Sequence, residues 1–282
     1  MASLRTSLLL VSLAIFNIPT SSCYPGVINS ISGLPAHKLS LRDDPPDPED
    51  FSYITGFAAI GDSYSAGIGA GSAYDLNLFC ARYDAAFPNL INQDVRMGDP
   101  ATRTFQFLAC SGAITQDVLE KQIPQLGENQ NLITLSIRGN DVGLSSILNA
   151  CIFQWSGGDG EDCDKILKTT QDTIDFQLSV KLDKVIAAAK LKLSTVPSSA
   201  GDLYVTGYAR FFDGDTDGCN SQSWSFWYNL QNKQYLVKNR RHQMNDLGDS
   251  VNAKILAAVQ AAGDHVVYVN YDPYVTMFGG RY

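Results

Sequence analysis

The sequence predicts an α/β fold, a doubly wound parallel sheet flanked by helices. Short apolar runs of strand length alternate with helical stretches, and small or polar residues follow the first three runs directly. Strands of a parallel sheet are buried on both faces and therefore read as continuous apolar runs. The predicted strands are residues 57–60, 105–109, 132–137, 203–206 and 266–270.

Three segments carry apolar residues at helical spacing. Residues 169–193 and 235–262 are long enough to be major helices. A third helix is predicted to begin at a Thr115 cap and to place apolar residues on one face. The strands and helices together form a single domain, assigned to residues 53–282 of the 282-residue chain.

The first strand is followed by a candidate nucleophile. Residues 61–67 read Gly-Asp-Ser-Tyr-Ser-Ala-Gly, which predicts a tight turn that holds Ser63 at the carboxyl end of the sheet. Open α/β folds bind ligands there, and neighbouring backbone N–H groups could face an oxyanion. The same residues also suit a helix N-cap, and the heptapeptide alone does not separate the two roles. It is not the Gly-x-Ser-x-Gly elbow.

Two further strand ends carry small or polar groups. The second strand runs into Gly112, and the third runs into residues 138–141, which read Arg-Gly-Asn-Asp. Asn140 could donate a side-chain N–H group to an oxyanion, and Asp141 could cap the next helix. An Asn-Asp pair after a strand is also common in ordinary turns.

Charge and the N-terminus limit the partners and the compartment. A net charge of −8 argues against nucleic acid and anionic membrane surfaces as partners. Residues 1–22 have the layout of a secretory signal peptide, and 23–52 form a polar, acidic arm that contains prolines. No second long apolar stretch occurs, so we expect a secreted, soluble monomer without an integral membrane segment.

The cysteines predict disulfides, since secretion places them in an oxidising compartment. Cys151 and Cys163 bracket a Gly-rich loop that a local disulfide would staple. Zinc is the competing interpretation, but no histidine or further cysteine lies near this pair. No residue cluster has metal-ligand spacing and no P-loop lysine is present, so we expect no metal and no organic cofactor.

An aromatic cluster follows the fourth strand. It either forms an apolar substrate wall or packs the loop, and the sequence leaves both interpretations open. Its members are Phe211, Phe212, Trp224, Phe226, Trp227 and Tyr228.

With Gly-Asp-Ser at 61–63, Gly112 and Asn140 after three successive strands, the chain resembles the SGNH (GDSL-type) hydrolases. The resemblance is to their secreted fungal and actinobacterial esterase and lipase branch and covers about residues 53–282. The segments at 79–82 and 109–113 add to it.

This resemblance implies a flavodoxin-like sheet of five parallel strands and hydrolysis of carboxylic esters. The substrate would be a small-molecule, lipid or acylated-glycan ester. It also implies that Ser63 is the nucleophile and that its N–H, the Gly112 N–H and the Asn140 side chain form the oxyanion hole.

Arg138 is the first departure from the family pattern, because it stands where the third block has glycine. We expect this cation either to distort Asn140 or to fill part of the pocket. Loss of one oxyanion donor lowers the rate by about 10²- to 10³-fold.

The second departure concerns the general base. The family has a segment like Phe-x-Gly-His-x-x-Cys, whereas residues 278–282 read Phe-Gly-Gly-Arg-Tyr. Arg281 cannot deprotonate and so cannot act as the base. His37 lies in the arm, His242 lies in a helix, and His265 begins the fifth strand, about 20 Å from the carboxyl ends. The chain is therefore expected to be nearly inactive, and the alternative is a non-catalytic protein that binds acyl or glycan ligands.

The cysteine pattern suggests an explanation for the absent histidine. Cys23 lies at the predicted cleavage site of the signal peptide. If cleavage removes Cys23, pairing Cys80 with Cys110 and Cys151 with Cys163 leaves Cys219 unpaired. A family member has a cysteine shortly after the catalytic histidine, so one missing tail would account for both features. The other explanation is a pseudoenzyme that tolerated arginine at both departures.

Overall fold

The computed structural model describes residues 50–156, 162–227 and 231–277. The predicted signal peptide at 1–22, the arm up to residue 49 and the segment 278–282 lie outside these residues. The assignment of the domain boundaries, including that of 53–282, therefore stays a prediction.

The described residues form one sheet of five parallel strands in the order β2-β1-β3-β4-β5. Each strand overlaps its predicted apolar run, so the predicted α/β, doubly wound fold is confirmed. The strands are β1 (Gly56–Gly61), β2 (Thr104–Phe107), β3 (Leu132–Ser136), β4 (Asp202–Thr206) and β5 (Val266–Val269).

The centre of the sheet explains the apolar runs. Every residue of β1 and β3 is buried, because their alternate side chains pack into separate core clusters and both faces of these central strands are covered. The edge strands β2 and β5 are only partly buried. The most strongly apolar runs in the sequence thus mark the middle of the sheet.

Seven α-helical segments accompany the strands among the described residues. They are α1 (Ser63–Ala66), α2 (Phe87–Gln93), α3 (Thr115–Asp117), α4 (Leu144–Leu148), α5 (Cys163–Lys190), α6 (Lys238–Ala262) and α7 (Asp272–Met277). The long predicted helices correspond to α5 and α6, which bury their apolar residues in the same core as β3 and β4. Helix α5 begins earlier than its apolar spacing indicates, because Asp162 caps it by accepting the Asp164 N–H.

The disulfides agree with the two predicted pairs. Cys80 bonds to Cys110 and Cys151 bonds to Cys163, which excludes zinc at the second pair. Cys219 is disulfide-bonded as well in the 282-residue chain, which retains Cys23. An unpaired Cys219 in a chain without Cys23 stays a prediction, and the described residues give no support to a missing tail.

The carboxyl end of β1 lies unusually close to β3. Gly61 pairs with Ser136, and a Cβ atom on Gly61 would lie 2.0 Å from the Ser136 carbonyl oxygen. Gly61 also has a φ of +129°, which favours glycine. The Gln122 side chain accepts the Gly61 N–H at 2.7 Å and donates to its carbonyl oxygen at 2.9 Å. The backbone that leads into Ser63 is therefore held from two sides.

We predict that Gly61→Ala lowers the free energy of unfolding by about 3 kcal/mol or more, because backbone strain and a steric clash add. Gly143→Ala is the matched control: its φ is +79°, and its Cβ would meet no atom within 4 Å. The control should lose only about 1 to 2 kcal/mol. Urea unfolding of both variants tests this, and equal losses would contradict the close approach.

Candidate active site

The predicted site residues lie at the switch point of the sheet. Starting from β1, the chain forms β2 on one side and then returns to place β3 on the other side. Loops at such a point diverge and leave a crevice outside the carboxyl ends of the strands. Ser63 follows β1 and Asn140 follows β3, so both lie beside this crevice.

Ser63 is not the cap of the helix that it begins. The N-cap of α1 is Asp62, whose side chain accepts the Tyr64 N–H at 3.0 Å. Ser63 is the first residue of α1 and is buried. The capping interpretation thus applies to Asp62 and does not account for a serine at position 63.

The loop after β2 brings Gly112 towards the other two residues. The Cys110 N–H donates to the Gly61 carbonyl at 3.0 Å, which ties this loop to the end of β1. Gly112 has a φ of +81°, a conformation that favours glycine. The Asn140 Nδ2 group donates to the Ala113 carbonyl at 2.9 Å. The structure therefore brings the Gly112 and Asn140 segments into direct contact.

Asp141 caps a different helix from the one predicted. Its carboxylate accepts the Thr115 N–H at 3.0 Å and also bonds the Thr115 hydroxyl. Thr115 is consequently the capped residue at the start of α3 and not its cap. Helix α4, which follows Asp141, has Gly143 at its N-cap position and no side-chain cap. Both corrections have one cause, a tertiary contact that spacing along the chain does not show.

The Arg138 side chain does not line the neighbouring cavity. It is 1% exposed, and its Nη1 lies 3.8 Å from Asp141 Oδ1 and 3.4 Å from Thr115 Oγ1. The cavity lining includes Gly139 but not Arg138, so the expectation that the cation fills part of the pocket is wrong. Asn140 donates to the Ala113 carbonyl, and the expectation that Arg138 distorts Asn140 stays a prediction.

A buried network connects the ends of three strands around Asp62. The Tyr208 hydroxyl donates to Asp62 Oδ2 at 2.7 Å and accepts the Gly139 N–H at 2.9 Å. Ser136 Oγ lies 3.4 Å from Asp62 Oδ1. Sequence reasoning missed Tyr208, although it follows the carboxyl end of β4 and the strand-end rule used for the other residues would have identified it.

Burial raises the pKa of Asp62 from its usual 3.8 to about 7. Its hydrogen bonds from Tyr208, the Tyr64 N–H and Ser136 act in the opposite direction, and the Asp141 carboxylate adds a small increase. Desolvation therefore outweighs the donors.

This pKa predicts a pH-dependent stability. Between about pH 4 and pH 7, the folded state holds a proton on Asp62 that the unfolded state has released, so stability falls as pH rises. We expect Asp62→Asn to reduce this dependence, at most by about 1.4 kcal/mol per pH unit. Urea unfolding from about pH 5 to pH 8 measures it. Asp172→Asn, an exposed position on α5, is the control, and equal slopes in all three proteins would contradict the prediction.

An apolar cavity of about 390 Å³ opens beside Ser63. Ser63, Gly139 and Tyr208 contribute to its lining, whereas Gly112 and Asn140 do not line it. The remaining wall is largely apolar and comes from α4 and the helical turn Asn149–Phe153 that follows it, from α5 and α6, and from the loop after β4. It includes Ile147, Ile152, Phe153, Ile174, Phe212 and Val251.

Some members of the aromatic cluster line the cavity, as expected for a substrate wall, and others do not. Phe211 and Phe212 line the cavity. Trp224 packs behind it, with its ring 6.0 Å from both Phe153 and Phe212. Phe226 and Trp227 are exposed, and the sixth predicted member, at position 228, lies outside the described residues.

Neither described histidine belongs to this site. His242 is exposed on α6 and is not among the residues that line the cavity. His265 precedes β5 at the amino end of the sheet, and its Nδ1 lies 3.0 Å from Asp202 Oδ1. The prediction that His265 is at the wrong end of the sheet is confirmed. Arg281 lies outside the described residues.

The described ranges, 50–156, 162–227 and 231–277, contain neither a metal-binding cluster nor a membrane-spanning helix. No group of three or more His, Cys, Asp or Glu residues there could hold a metal ion. No helix in these ranges combines the length and the apolar character that crossing a membrane requires.

Comparison with known proteins reveals lipase relatives. No family model matches the chain. It is 36% identical over 157 residues to Lipase 1 of Streptomyces coelicolor, covering 56% of this chain and 53% of that protein. It is 33% identical over 158 residues to a lipase of Streptomyces rimosus, covering 56% and 54%. The matched region thus spans about half the length of these curated relatives.

Solved structures match over more of the chain. Phospholipase A1 from Streptomyces albidoflavus is 29% identical, with a TM-score of 0.63 over 81% of this chain and 86% of that one. The extracellular lipase of Streptomyces rimosus is 25% identical, with a TM-score of 0.62 over 79% and 82%.

Proposed function

We propose that the chain is an SGNH (GDSL-type) hydrolase, a secreted esterase or lipase that acts on carboxylic esters through Ser63. The observation that carries the proposal is the position of Ser63, buried at the switch point of the sheet and bordering an apolar cavity. Secretion is supported by the disulfides, which form and persist in oxidising compartments.

The proposed chemistry is acyl transfer. Ser63 Oγ attacks the ester carbonyl carbon, and the alcohol leaves from a tetrahedral intermediate to give an acyl-enzyme that water then hydrolyses. The Ser63 N–H, the Gly112 N–H and the Asn140 side chain stabilise the oxyanion. The proximity of the Gly112 and Asn140 segments supports this assignment. The cavity suits the acyl chain, because its wall is apolar and it opens at the nucleophile.

A non-catalytic acyl-binding protein is the second candidate. The observation that favours it is the placement of the described histidines. His242 is exposed on α6, and His265 is bonded to Asp202 at the amino end of the sheet, opposite the crevice. Without a base, Ser63 remains a weak nucleophile, while the cavity retains its apolar wall.

Ester hydrolysis separates the two candidates. We expect the 282-residue polypeptide to cleave p-nitrophenyl esters at a rate near the background. A tail that supplies a histidine should raise this rate by about 10²- to 10⁴-fold, the usual effect of a positioned general base. The same tail with alanine in place of histidine is the control, and Ser63→Ala in the extended protein should abolish the gain. Full turnover without any tail would contradict the expectation that the 282-residue polypeptide has no general base for Ser63. An unchanged hydrolysis rate with the tail would favour the non-catalytic binding protein.

The cavity also predicts a dependence on acyl length that needs no turnover. Straight-chain carboxylates from butyrate to octanoate should bind about fourfold more tightly per added methylene, because each buried CH₂ contributes about 0.8 kcal/mol. Ile174→Phe should weaken octanoate binding and leave butyrate binding nearly unchanged, because it narrows the cavity. Asp172→Phe on the exposed side of α5 is the control. Titration calorimetry showing no dependence on chain length would exclude the cavity as the acyl site.

A further inference from the structure

Arg138 adopts a backbone conformation that suits glycine. Its φ is +130°, a region that residues with a Cβ atom rarely occupy. Such a conformation persists only where the surrounding structure imposes it, and it is most often found at functional sites. The contacts of the Arg138 side chain therefore indicate the role of this residue.

Those contacts form a bridge between two loops. Arg138 Nη1 lies 3.8 Å from Asp141 Oδ1 and 3.4 Å from Thr115 Oγ1, and Asp141 accepts the Thr115 N–H at 3.0 Å. The side chains of Arg138 and Asp141 are only 1% and 7% exposed, so water screens this ion pair little. The loop after β3 is thus joined to the residue that begins α3.

The two joined loops are those that supply the proposed oxyanion donors. Asn140 immediately precedes Asp141, and its Nδ2 donates to the Ala113 carbonyl at 2.9 Å. Ala113 in turn directly follows Gly112. The bridge from Arg138 through Asp141 to Thr115 therefore runs beside the contact that determines the distance between the Gly112 N–H and the Asn140 amide.

A contribution to folding stability does not explain why the Arg138 guanidinium group is buried. Arg138 Nε and Nη2 are buried without a hydrogen-bond partner among the described residues. Buried donors without partners destabilise a protein, and a buried ion pair is often no better than well-packed apolar side chains. A buried arginine with two unpartnered donors is therefore better explained by positioning the two loops than by stabilising the core.

We propose that Arg138 is a positioning residue for the oxyanion hole, which holds Asp141 against Thr115 and so fixes the Gly112 N–H relative to the Asn140 amide. This inference rests on the proposed function of Ser63 and its oxyanion hole. It replaces the view that Arg138 marks the loss of activity.

The test compares the affinities of the 282-residue chain for two ligands of the same cavity. Octylboronic acid adds to Ser63: the boron atom accepts an electron pair from Oγ, the serine proton leaves to solvent, and the tetrahedral boron anion places an oxygen at the oxyanion donors. Octanol fills the cavity without forming this anion. Boron NMR identifies the tetrahedral adduct, and calorimetry measures both affinities.

The variants are Arg138→Met, Arg138→Lys and the control Arg241→Met. Arg241 is also fully buried, but it bonds the Leu236 carbonyl and the loop around Asp213, neither of which carries a proposed oxyanion donor. We expect Arg138→Met to weaken the boronic acid by at least about tenfold and octanol by less than about twofold. Arg138→Lys should restore much of the loss, and Arg241→Met should weaken neither ligand selectively.

Two outcomes overturn the inference: unchanged boronic acid affinity in Arg138→Met, or an equal loss for both ligands. Absence of the tetrahedral adduct in the unaltered chain would instead count against a nucleophilic Ser63 in this polypeptide and favour the non-catalytic candidate, without bearing on the positioning role. In that case amide NMR decides the inference separately. The Gly112 amide and Asn140 side-chain signals should shift in Arg138→Met and stay in place in Arg241→Met, and unchanged signals in Arg138→Met would refute the positioning role.

Discussion

The buried carboxyl group of Asp62 is the interaction on which the geometry of the site depends. It caps the helix that begins at Ser63 and accepts a hydrogen bond from Tyr208, which in turn holds the Gly139 N–H. One side chain thus connects the ends of β1, β3 and β4. The burial that makes these bonds inaccessible to water also raises the pKa of the group to about 7, so the same desolvation that fixes the geometry makes it sensitive to pH.

A second set of contacts holds the side of the crevice that carries the proposed oxyanion donors. Asp141 bonds Thr115, Asn140 bonds the Ala113 carbonyl, and the Cys80–Cys110 disulfide closes the segment that leads to Gly112. These contacts belong to loops and not to the sheet, so the strands provide the approximate position and the loops provide the final distances. This division is common in open α/β folds, where loops carry the chemistry and the sheet supplies rigidity.

The cavity and the proposed nucleophile have separate structural origins. Ser63 is held by β1 and its turn, whereas the apolar wall comes from α4 and the helical turn after it, α5, α6 and the loop after β4. In the proposed function, the helices therefore bind the acyl chain while the ester carbonyl lies at the carboxyl ends of the strands. For the same reason, a chain that lacks a positioned base can retain an intact acyl-binding site, which is why binding and turnover have to be measured independently.

The sequence determined the strands, the two long helices, the Cys80–Cys110 and Cys151–Cys163 disulfides, and the placement of Ser63, Gly112 and Asn140 after three strands at the same end of the sheet. Apolar runs, helical spacing and strand ends depend on neighbours along the chain and can be read directly. It could not locate Tyr208 in the network, the cap supplied by Asp141, or the direction of the Arg138 side chain. These features depend on contacts between segments distant in the sequence, because a buried polar group pairs with whichever partner the packed structure brings within reach.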